Sequence, residues 1–356
     1  MKRLLRSKLR PGMCIAENVY GMSDNTLLLE KGHILDDLDI TRLSYYSVVS
    51  VLIEENIDFE PGSDAPSYSE LLMQRKEFKQ FKDDFDGCVF SFKTMINEII
   101  EKDEKVQIPE LVSPLFDLFL EAPNVHDLFA MIHLLRLYDD ATYVHCINVG
   151  LISLVLGKWM KMSDSDLEIL TASGMLHDIG KMRISDKIIT KPDKLTDEEY
   201  EEVKKHPIIG YNILKNLSMN DHIQNAALMH HERYDGSGYP YKLVGNEIDE
   251  FAGIVAVADV YDAMTSARVY RGPLCPFTAL KIFEEEGLQK YNPDAIITFC
   301  KNVVETYRQT KLQLSDGRVG DIVYINPNRY SRPTVKCGDD YVDLMENPKL
   351  EIVAIR

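Results

Sequence analysis

The sequence lacks any long apolar run. A membrane-spanning helix needs about 18 or more mostly apolar residues, and no such stretch occurs in the 356 residues. The start of the chain, from Met1 to Met13, is basic but lacks the apolar segment of a secretory signal peptide. We therefore expect a cytoplasmic protein with no membrane span.

Closely spaced cysteine pairs are also lacking. The six cysteines are scattered, and none forms a Cys-x-x-Cys motif. This spacing argues against a cysteine-based zinc site or a disulfide framework, and it favours reduced, mostly buried thiols. Cys146 follows His145, but adjacent side chains on a helix point about 100° apart, which disfavours a thiol–imidazole nucleophile pair.

Basic residues are fewer than acidic residues in this sequence. The chain has 40 Lys and Arg against 57 Asp and Glu, which gives a net charge of −17. Duplex nucleic acid is therefore not an expected partner, because its affinity for proteins comes largely from basic side chains at the phosphates. A small anionic substrate remains open, provided that metal ions concentrate positive charge at its site.

Hydrophobic periodicity predicts a mainly α protein with β elements at both ends. Residues 1–62 contain short apolar runs punctuated by Gly and Pro, as expected of a small β-rich N-terminal module. Helical spacing of Phe and Leu then predicts a helical connector over 63–124 and a helical bundle over 125–308. Residues 309–356 return to short strands, so we expect a short C-terminal β element.

Two helix starts carry capping signals. Thr196 stands three residues before Glu199, which predicts a capping box, and Ser163 stands three residues before Asp166. We therefore expect helices to begin directly after Thr196 and Ser163.

A set of histidines and aspartates lies on otherwise apolar stretches. His177-Asp178 and His230-His231 each follow such a stretch, and Asp259 interrupts another. Imidazoles and carboxylates there are expensive to bury unless they are paired or bind metal. Neutral imidazoles with a few carboxylates suit Fe, Mn, Zn or similar ions. We predict one metal site formed by His145, His177, Asp178, His206, His230, His231 and Asp259.

For each single residue the alternative is a structural role. A lone buried histidine is more often hydrogen-bonded within the core than bound to metal, and we assign that role to His33, His126, His133 and His222. A lone aspartate in an apolar helix usually forms a salt bridge. Independent structural roles explain the whole set poorly, because it includes adjacent His-Asp and His-His pairs.

Specific motifs then connect the chain to a known family. His177-Asp178-Ile179-Gly180-Lys181 resembles the signature of the HD superfamily of metal-dependent phosphohydrolases. The run from His230 to Pro240 resembles the extended motif of the HD-GYP family, whose members include cyclic di-GMP phosphodiesterases. The resemblance covers about residues 125–305, so we expect the helical bundle to be an HD-GYP catalytic domain.

The resemblance implies a binuclear metal centre. One ion would be held by His145, His177, Asp178 and Asp259. A second ion would be held by His206, His230 and His231, with Asp178 bridging both. Two ions about 3.5–4 Å apart can activate a bridging hydroxide and stabilise an in-line displacement at phosphorus. We expect Fe or Mn, with Zn, Ni or Co as alternatives.

The resemblance also implies a set of residues that contact substrate: Lys181, Tyr239, Arg268, Arg271 and Asp139. Lys181 would reach the scissile phosphate and take part in catalysis together with Asp178. The arginines would bind phosphate through their guanidinium groups. The alternatives are a solvated lysine at a helix end, arginines in surface salt bridges, and a structural turn at the Gly-Tyr-Pro loop.

One departure from the family concerns the number of metal ions. Some members carry a glutamate four residues before the first histidine, and this side chain supplies a ligand for a third ion. Here that position is Ala141, which cannot coordinate a metal. We therefore expect tight binding of two ions.

The resemblance implies a phosphodiesterase that hydrolyses cyclic di-GMP to linear pGpG, with further cleavage to GMP left open. One alternative is hydrolysis of another cyclic dinucleotide such as cyclic GMP-AMP. Another is a non-catalytic module that binds the nucleotide or docks to a cyclase. The family also implies contacts between the Gly-Tyr-Pro loop and diguanylate cyclase domains, and a homodimer is an open alternative to a monomer.

Overall fold

The computed structural model describes the chain except for residues 1, 6–8, 10–12, 21–26, 36–38, 40–42, 44–49, 54–73, 103–104, 136–140, 192–194, 266–274 and 309, and except for the side chains at 2–5, 20, 27, 50, 133, 134 and 141. Three predicted substrate contacts, Asp139, Arg268 and Arg271, lie outside the described residues. The described residues fall into two compact units, one before Pro66 and one from Ser67 onward.

The N-terminal unit is built from short antiparallel strands. Strand β1 (Lys2–Leu5) pairs with β4 (Ser50–Ile53), and β2 (Val19–Tyr20) pairs with β3 (Leu27–Leu29). Apolar side chains from β2, β3 and β4 and from the segments between the strands form a small core of their own. Short strands are therefore present where the sequence predicts them, while the boundary at residue 62 stays a prediction.

The second unit is mainly α-helical. Its α-helices are α1 (Lys76–Lys102), α2 (Ile108–Glu121), α3 (Val125–Leu135), α4 (Ala141–Trp159), α5 (Asp164–Leu176), α6 (Asp186–Ile189), α7 (Asp197–Val203), α8 (His206–Asn216), α9 (Asp221–Met229), α10 (Glu250–Thr265), α11 (Pro276–Ile282), α12 (Leu288–Lys290) and α13 (Pro293–Thr306). In the described part of this unit, two 3-10 helices (Ile179–Arg183 and Gly245–Glu247) and one π-helical turn (Phe283–Gly287) join them.

Both predicted capping signals are confirmed. The Thr196 side chain accepts a hydrogen bond from the Glu199 amide, and the Glu199 carboxylate accepts one from the Thr196 amide, so α7 begins with a full capping box. The Ser163 hydroxyl accepts from the amide of Asp166 at the start of α5. Each bond satisfies an amide that the first helical turn leaves without a partner.

Helices α4, α5 and α10 form the centre of this unit. α10 buries almost every side chain from Phe251 to Thr265, as expected of a helix surrounded by others. α4 approaches α5 closely because glycines face each other: a Cβ on Gly174 would lie 2.9 Å from the Cα of Gly150. This close contact brings the first turns of α4 next to the end of α5.

The chain ends in a five-stranded antiparallel sheet, as predicted for a C-terminal β element. Its strand order is β8-β7-β6-β5-β9. The strands are β5 (Leu312–Leu314), β6 (Val319–Asn326), β7 (Arg329–Cys337), β8 (Asp340–Asp343) and β9 (Ile352–Ile355). The buried face of this sheet continues the helical core. Among the residues that the structure describes, no helix combines the length and apolar character needed to cross a bilayer.

Candidate metal centre

Two groups of metal-ligand side chains share one aspartate. The first group consists of Asp178, His206, His230 and His231. The second consists of His145, His177 and Asp178. Within each group, one potential ligand atom per residue lies within 4.8 Å of all the others. Asp178 therefore belongs to both groups, and its role as a bridging ligand stays a prediction.

Asp259 completes the predicted set. Its Oδ1 lies 3.2 Å from Nε2 of His145, on the side of the imidazole that faces Asp178. The structure thus brings together all of the residues predicted to form the metal site, and their coordination of metal stays a prediction. Two of the other histidines pair with carboxylates elsewhere, His33 with Asp39 at 2.5 Å and His222 with Asp249 at 2.9 Å.

The chain around Asp178 is shaped by a glycine. His177 caps the end of α5, and a 3-10 helix begins directly after Asp178. A Cβ on Gly180 in this turn would lie 2.0 Å from the backbone oxygen of His206 and 2.7 Å from the Gly210 amide nitrogen. The absence of a side chain at Gly180 therefore allows α8 to place His206 beside Asp178.

Backbone carbonyls orient three of the imidazoles. Nδ1 lies 2.7 Å from the Gly174 oxygen in His177, 2.7 Å from the Val203 oxygen in His206 and 3.0 Å from the Ala226 oxygen in His230. Because a carbonyl oxygen only accepts, each Nδ1 must carry a proton. In the neutral imidazole, Nε2 is then left with a lone pair that is available to a metal.

These lone pairs converge on atoms that have no hydrogen-bond partner. Nε2 of His177 and Oδ1 of Asp178 are buried and make no hydrogen bond. Oδ1 of Asp178 lies 3.2 Å from Nε2 of His206 and 3.7 Å from Nε2 of His230. Electron pairs gathered this closely repel one another, and a cation among them would remove both the repulsion and the unmet hydrogen-bonding need. The residues therefore fit divalent metal ions.

Burial keeps two imidazoles of the first group, those of His230 and His231, neutral. It lowers the pKa of His230 to about 4, and it lowers the pKa of His231 well below the usual range with a further contribution from His230. Burial alone would raise the pKa of Asp178, but Lys181 and His177 more than offset it and hold that pKa well below its usual value. Neutral imidazoles beside an ionised carboxylate are the form in which metals bind.

Lys181 lies against the shared carboxylate. Its Nζ is 2.5 Å from Oδ2 of Asp178, and a quarter of the side chain is exposed. Burial alone would lower the pKa of Lys181, but Asp178 raises it overall, so the side chain stays cationic. The predicted position beside the site is observed, while contact with substrate stays a prediction.

Sequence reasoning assigned no role to Asp262. This residue follows Asp259 by three positions on α10, is 2% exposed, and its Oδ2 accepts a hydrogen bond from Nδ1 of His145 at 2.8 Å. Burial would lower the pKa of His145, but hydrogen bonds to Asp259 and Asp262 raise it to about 9. The signal for Asp262 in the sequence is its i+3 spacing from Asp259, which places both carboxylates on one helix face.

The Gly-Tyr-Pro loop covers one side of the centre. The ring of Tyr239 stacks on His231 with a centroid distance of 4.7 Å. A Cβ on Gly238 would lie within 2.6 Å of the backbone of Glu232, so this turn requires glycine. The buried Glu232 carboxylate, another residue without an assigned role, accepts from the amides of Tyr241 at 2.6 Å and Leu243 at 3.0 Å. The loop is thus held in place by a buried carboxylate next to the metal ligands.

Comparison with known proteins finds one family model and several curated proteins that are similar to this chain. Residues 130–295 match the family model described as HD domain. Cyclic di-GMP phosphodiesterase PA4108 of Pseudomonas aeruginosa is 33% identical over 230 residues, which cover 64% of this chain and 54% of that protein. The cyclic di-GMP phosphodiesterase of Thermotoga maritima is 38% identical over 191 residues, 52% of each chain.

A further relative acts on a different nucleotide. The 3'3'-cGAMP-specific phosphodiesterase 3 of Vibrio cholerae is 33% identical over 157 residues, which cover 44% of this chain and 34% of that protein. The chain thus spans about half or less of the length of these curated relatives. The family match contains every residue of the candidate metal centre described above, so residues 130–295 of this chain are similar to the HD domain family over the whole of that centre.

Proposed function

We propose that this chain is a metal-dependent phosphodiesterase that hydrolyses cyclic di-GMP to linear pGpG. The observation that carries the proposal is the single buried carboxylate of Asp178, shared by two groups of imidazoles. Such an arrangement suits two adjacent cations, and paired cations suit displacement at phosphorus. The printed names of two relatives, both cyclic di-GMP phosphodiesterases, support the choice of substrate.

The two ions would share Asp178 and would otherwise have separate ligands. His145, His177, Asp178 and Asp259 would hold the first. His206, His230 and His231 would hold the second, again with Asp178. Imidazole with carboxylate favours Fe or Mn, with Zn, Ni or Co as alternatives. Divalent ions, when bound by these residues, would supply electrophilic assistance to the phosphodiester and activation of the attacking water.

The protein supplies charge and orientation around that chemistry. The Lys181 ammonium group, kept protonated by Asp178, lies where it offsets negative charge on a phosphodiester at the centre. Asp262 and the backbone carbonyls behind the histidines fix the imidazole rings before substrate arrives. Fixed groups of this kind need no reorganisation during the reaction.

Hydrolysis of cyclic GMP-AMP is the second candidate. It is favoured by the 33% identity to a 3'3'-cGAMP-specific phosphodiesterase. The metal centre acts on the phosphodiester that both nucleotides contain, so the choice between them depends on residues around the bases. Whether pGpG is cleaved onward to GMP is tested in the same assay.

The deciding experiment is metal analysis of anaerobically purified protein combined with turnover of cyclic di-GMP, cyclic GMP-AMP and pGpG. We expect about two tightly bound ions per chain and fastest turnover of cyclic di-GMP. Asp178→Ala should lower kcat/KM on the order of a thousandfold or more, because both ions lose their shared ligand.

Asp164→Ala, at an exposed aspartate in the first turn of α5, is the matched control and should leave turnover unchanged. Circular dichroism should show that both variants are folded. Near-native turnover by Asp178→Ala, or a metal-loaded wild-type protein that cleaves none of the nucleotides, would contradict the proposed function.

A further inference from the structure

A row of three rings, two of them linked by a lysine, extends outward from the candidate metal centre. It begins at His231, continues with Tyr239 stacked on that imidazole, and reaches Lys204, whose Nζ lies 5.7 Å from the centroid of the Tyr239 ring. The same Nζ lies 5.5 Å from the centroid of Tyr200. One ammonium group therefore contacts two tyrosine rings, one beside the metal ligands and one farther out. We call His231, Tyr239, Lys204 and Tyr200 the aromatic row.

The outer end of the aromatic row faces solvent. Tyr200 is 50% exposed, whereas large aromatic side chains in a stable helix usually lie against the core. Helix α7, which carries Tyr200, has no buried residue at all. Core packing therefore does not account for a tyrosine at this position, and half of its surface is accessible to a ligand.

The inner end of the aromatic row lies close to the reacting groups. The Tyr239 ring stacks on the imidazole of His231, a candidate metal ligand, with a centroid distance of 4.7 Å. Tyr239 therefore contacts a candidate ligand on one side and Lys204 on the other. A molecule whose phosphate lies at the metal centre would extend along this row.

The charges around Tyr200 restrict which part of a nucleotide could lie there. The first turn of α7 contains Asp197, Glu198 and Glu199, and Lys204 is already paired with Glu201 at 2.6 Å. A second phosphate would be repelled by these carboxylates. A neutral purine would not be, and purines stack well on aromatic faces, with added attraction from a neighbouring cation.

We propose that Tyr200 and Lys204, together with Tyr239, bind one guanine base of the dinucleotide. This inference rests on the proposed function, in which a phosphodiester lies at the metal centre. Every phosphodiester of a cyclic dinucleotide joins two nucleosides, so a base must lie within one nucleoside of the ions. The aromatic row offers a stacking face that Lys204 and Tyr239 connect to the candidate metal ligands, and it makes Tyr200 a determinant of substrate affinity.

The test is the kinetics of Tyr200→Ala on cyclic di-GMP, with equilibrium binding of the same nucleotide measured by calorimetry. Loss of one stacking face should raise KM and Kd about tenfold. The value of kcat should change by no more than about twofold, because the lost contact is made equally before and during the reaction. Tyr200→Phe, which keeps the ring, should restore most of the lost affinity.

Tyr341→Ala is the matched control. Tyr341 is 66% exposed and also lies under a lysine, Lys336, at 5.6 Å, but it belongs to the C-terminal sheet. This variant should show wild-type KM and Kd. Metal content should be the same in all variants, which separates a lost base contact from a damaged metal centre.

The outcomes separate the two proposals. If the wild type binds and cleaves cyclic di-GMP and Tyr200→Ala does so with unchanged KM and Kd, the base-binding role is wrong and the proposed function stands. If the wild type binds the nucleotide without cleaving it, the proposed function is wrong and the Kd of Tyr200→Ala still decides the base contact. If the wild type neither binds nor cleaves it, both proposals are wrong.

Discussion

At the scale of single residues, Asp262 connects the candidate metal centre to α10 through a hydrogen bond to His145. Its buried carboxylate accepts from Nδ1 of His145 at 2.8 Å. A carboxylate in this position fixes the tautomer of a metal-bound imidazole and makes Nε2 a better electron-pair donor to the metal. We expect Asp262→Ala to weaken metal binding about 10- to 100-fold, and Asp262→Asn to weaken it less because the amide oxygen still accepts.

Competition with a chelator of known affinity, followed by metal analysis, measures this effect without relying on turnover. Thermal unfolding of the metal-free variants checks that the fold survives. Wild-type affinity in Asp262→Ala would show that the contact with His145 contributes nothing to metal binding.

Most of the candidate ligands stand out in the sequence because they are polar groups on otherwise apolar helical stretches, as at Asp259, where burial is unfavourable unless a partner is present. His206 follows a charged segment and stands out only through the family resemblance. The partner of Asp262 was not predictable, because it depends on how α10 lies against α4. The same holds for Lys204, whose two aromatic neighbours come from segments far apart in the chain.

At the scale of elements, the contact between the 3-10 helix after Asp178 and the start of α8 depends on Gly180. A methyl group there would overlap the backbone oxygen of His206, and backbone cannot move aside as a flexible side chain can. We expect Gly180→Ala to lower the free energy of unfolding by about 2–3 kcal/mol. It should also displace His206 from Asp178 and reduce metal loading.

Gly87→Ala is the control for this prediction. Gly87 lies within α1, and a Cβ there would have no heavy atom within 4 Å. Because alanine favours the helix over glycine, this change should raise the free energy of unfolding by about 0.5–1 kcal/mol. Urea unfolding and metal analysis of both variants test the pair, and equal stability for both would contradict the steric argument.

The helices and the terminal strands were predictable from periodicity and capping residues, while their arrangement was not. Thr196 and Glu199 determine where α7 begins because they are close in sequence. The pairing of β5 with β9 joins strands separated by three others in the chain, and no local signal encodes it. The 3-10 helix after Asp178 is likewise set by its contact with α8.

At the scale of the whole molecule, the buried histidines make the stability of the metal-free protein depend on pH. The pKa of His230 falls from its ordinary value of 6.5 to about 4 on folding. The unfolded chain therefore takes up a proton before the folded chain does as the pH falls. Stability from this group is complete above pH 6.5 and is lost as the pH falls towards 4. The pKa of His145 is raised to about 9, so its contribution to stability is complete below pH 6.5 and is lost only as the pH rises towards 9.

We expect the metal-free protein to lose up to about 3 kcal/mol of unfolding free energy from His230 between pH 6.5 and pH 4. Urea unfolding in the presence of a chelator at several pH values measures this loss. His230→Gln, which cannot take up the proton, should show a shallower decline. An identical decline in wild type and variant would contradict the assignment to His230.

The candidate ligands of the metal centre come from α4, the end of α5, the start of α8, the end of α9 and the middle of α10. Ions bound to all of these segments would act as a removable cross-link between five parts of one chain. We expect the metal-loaded domain to resist proteases as a cross-linked protein does, and the metal-free domain to be cleaved more readily. Under the proposed function, metal supply would then set the lifetime of the folded protein as well as its rate of turnover.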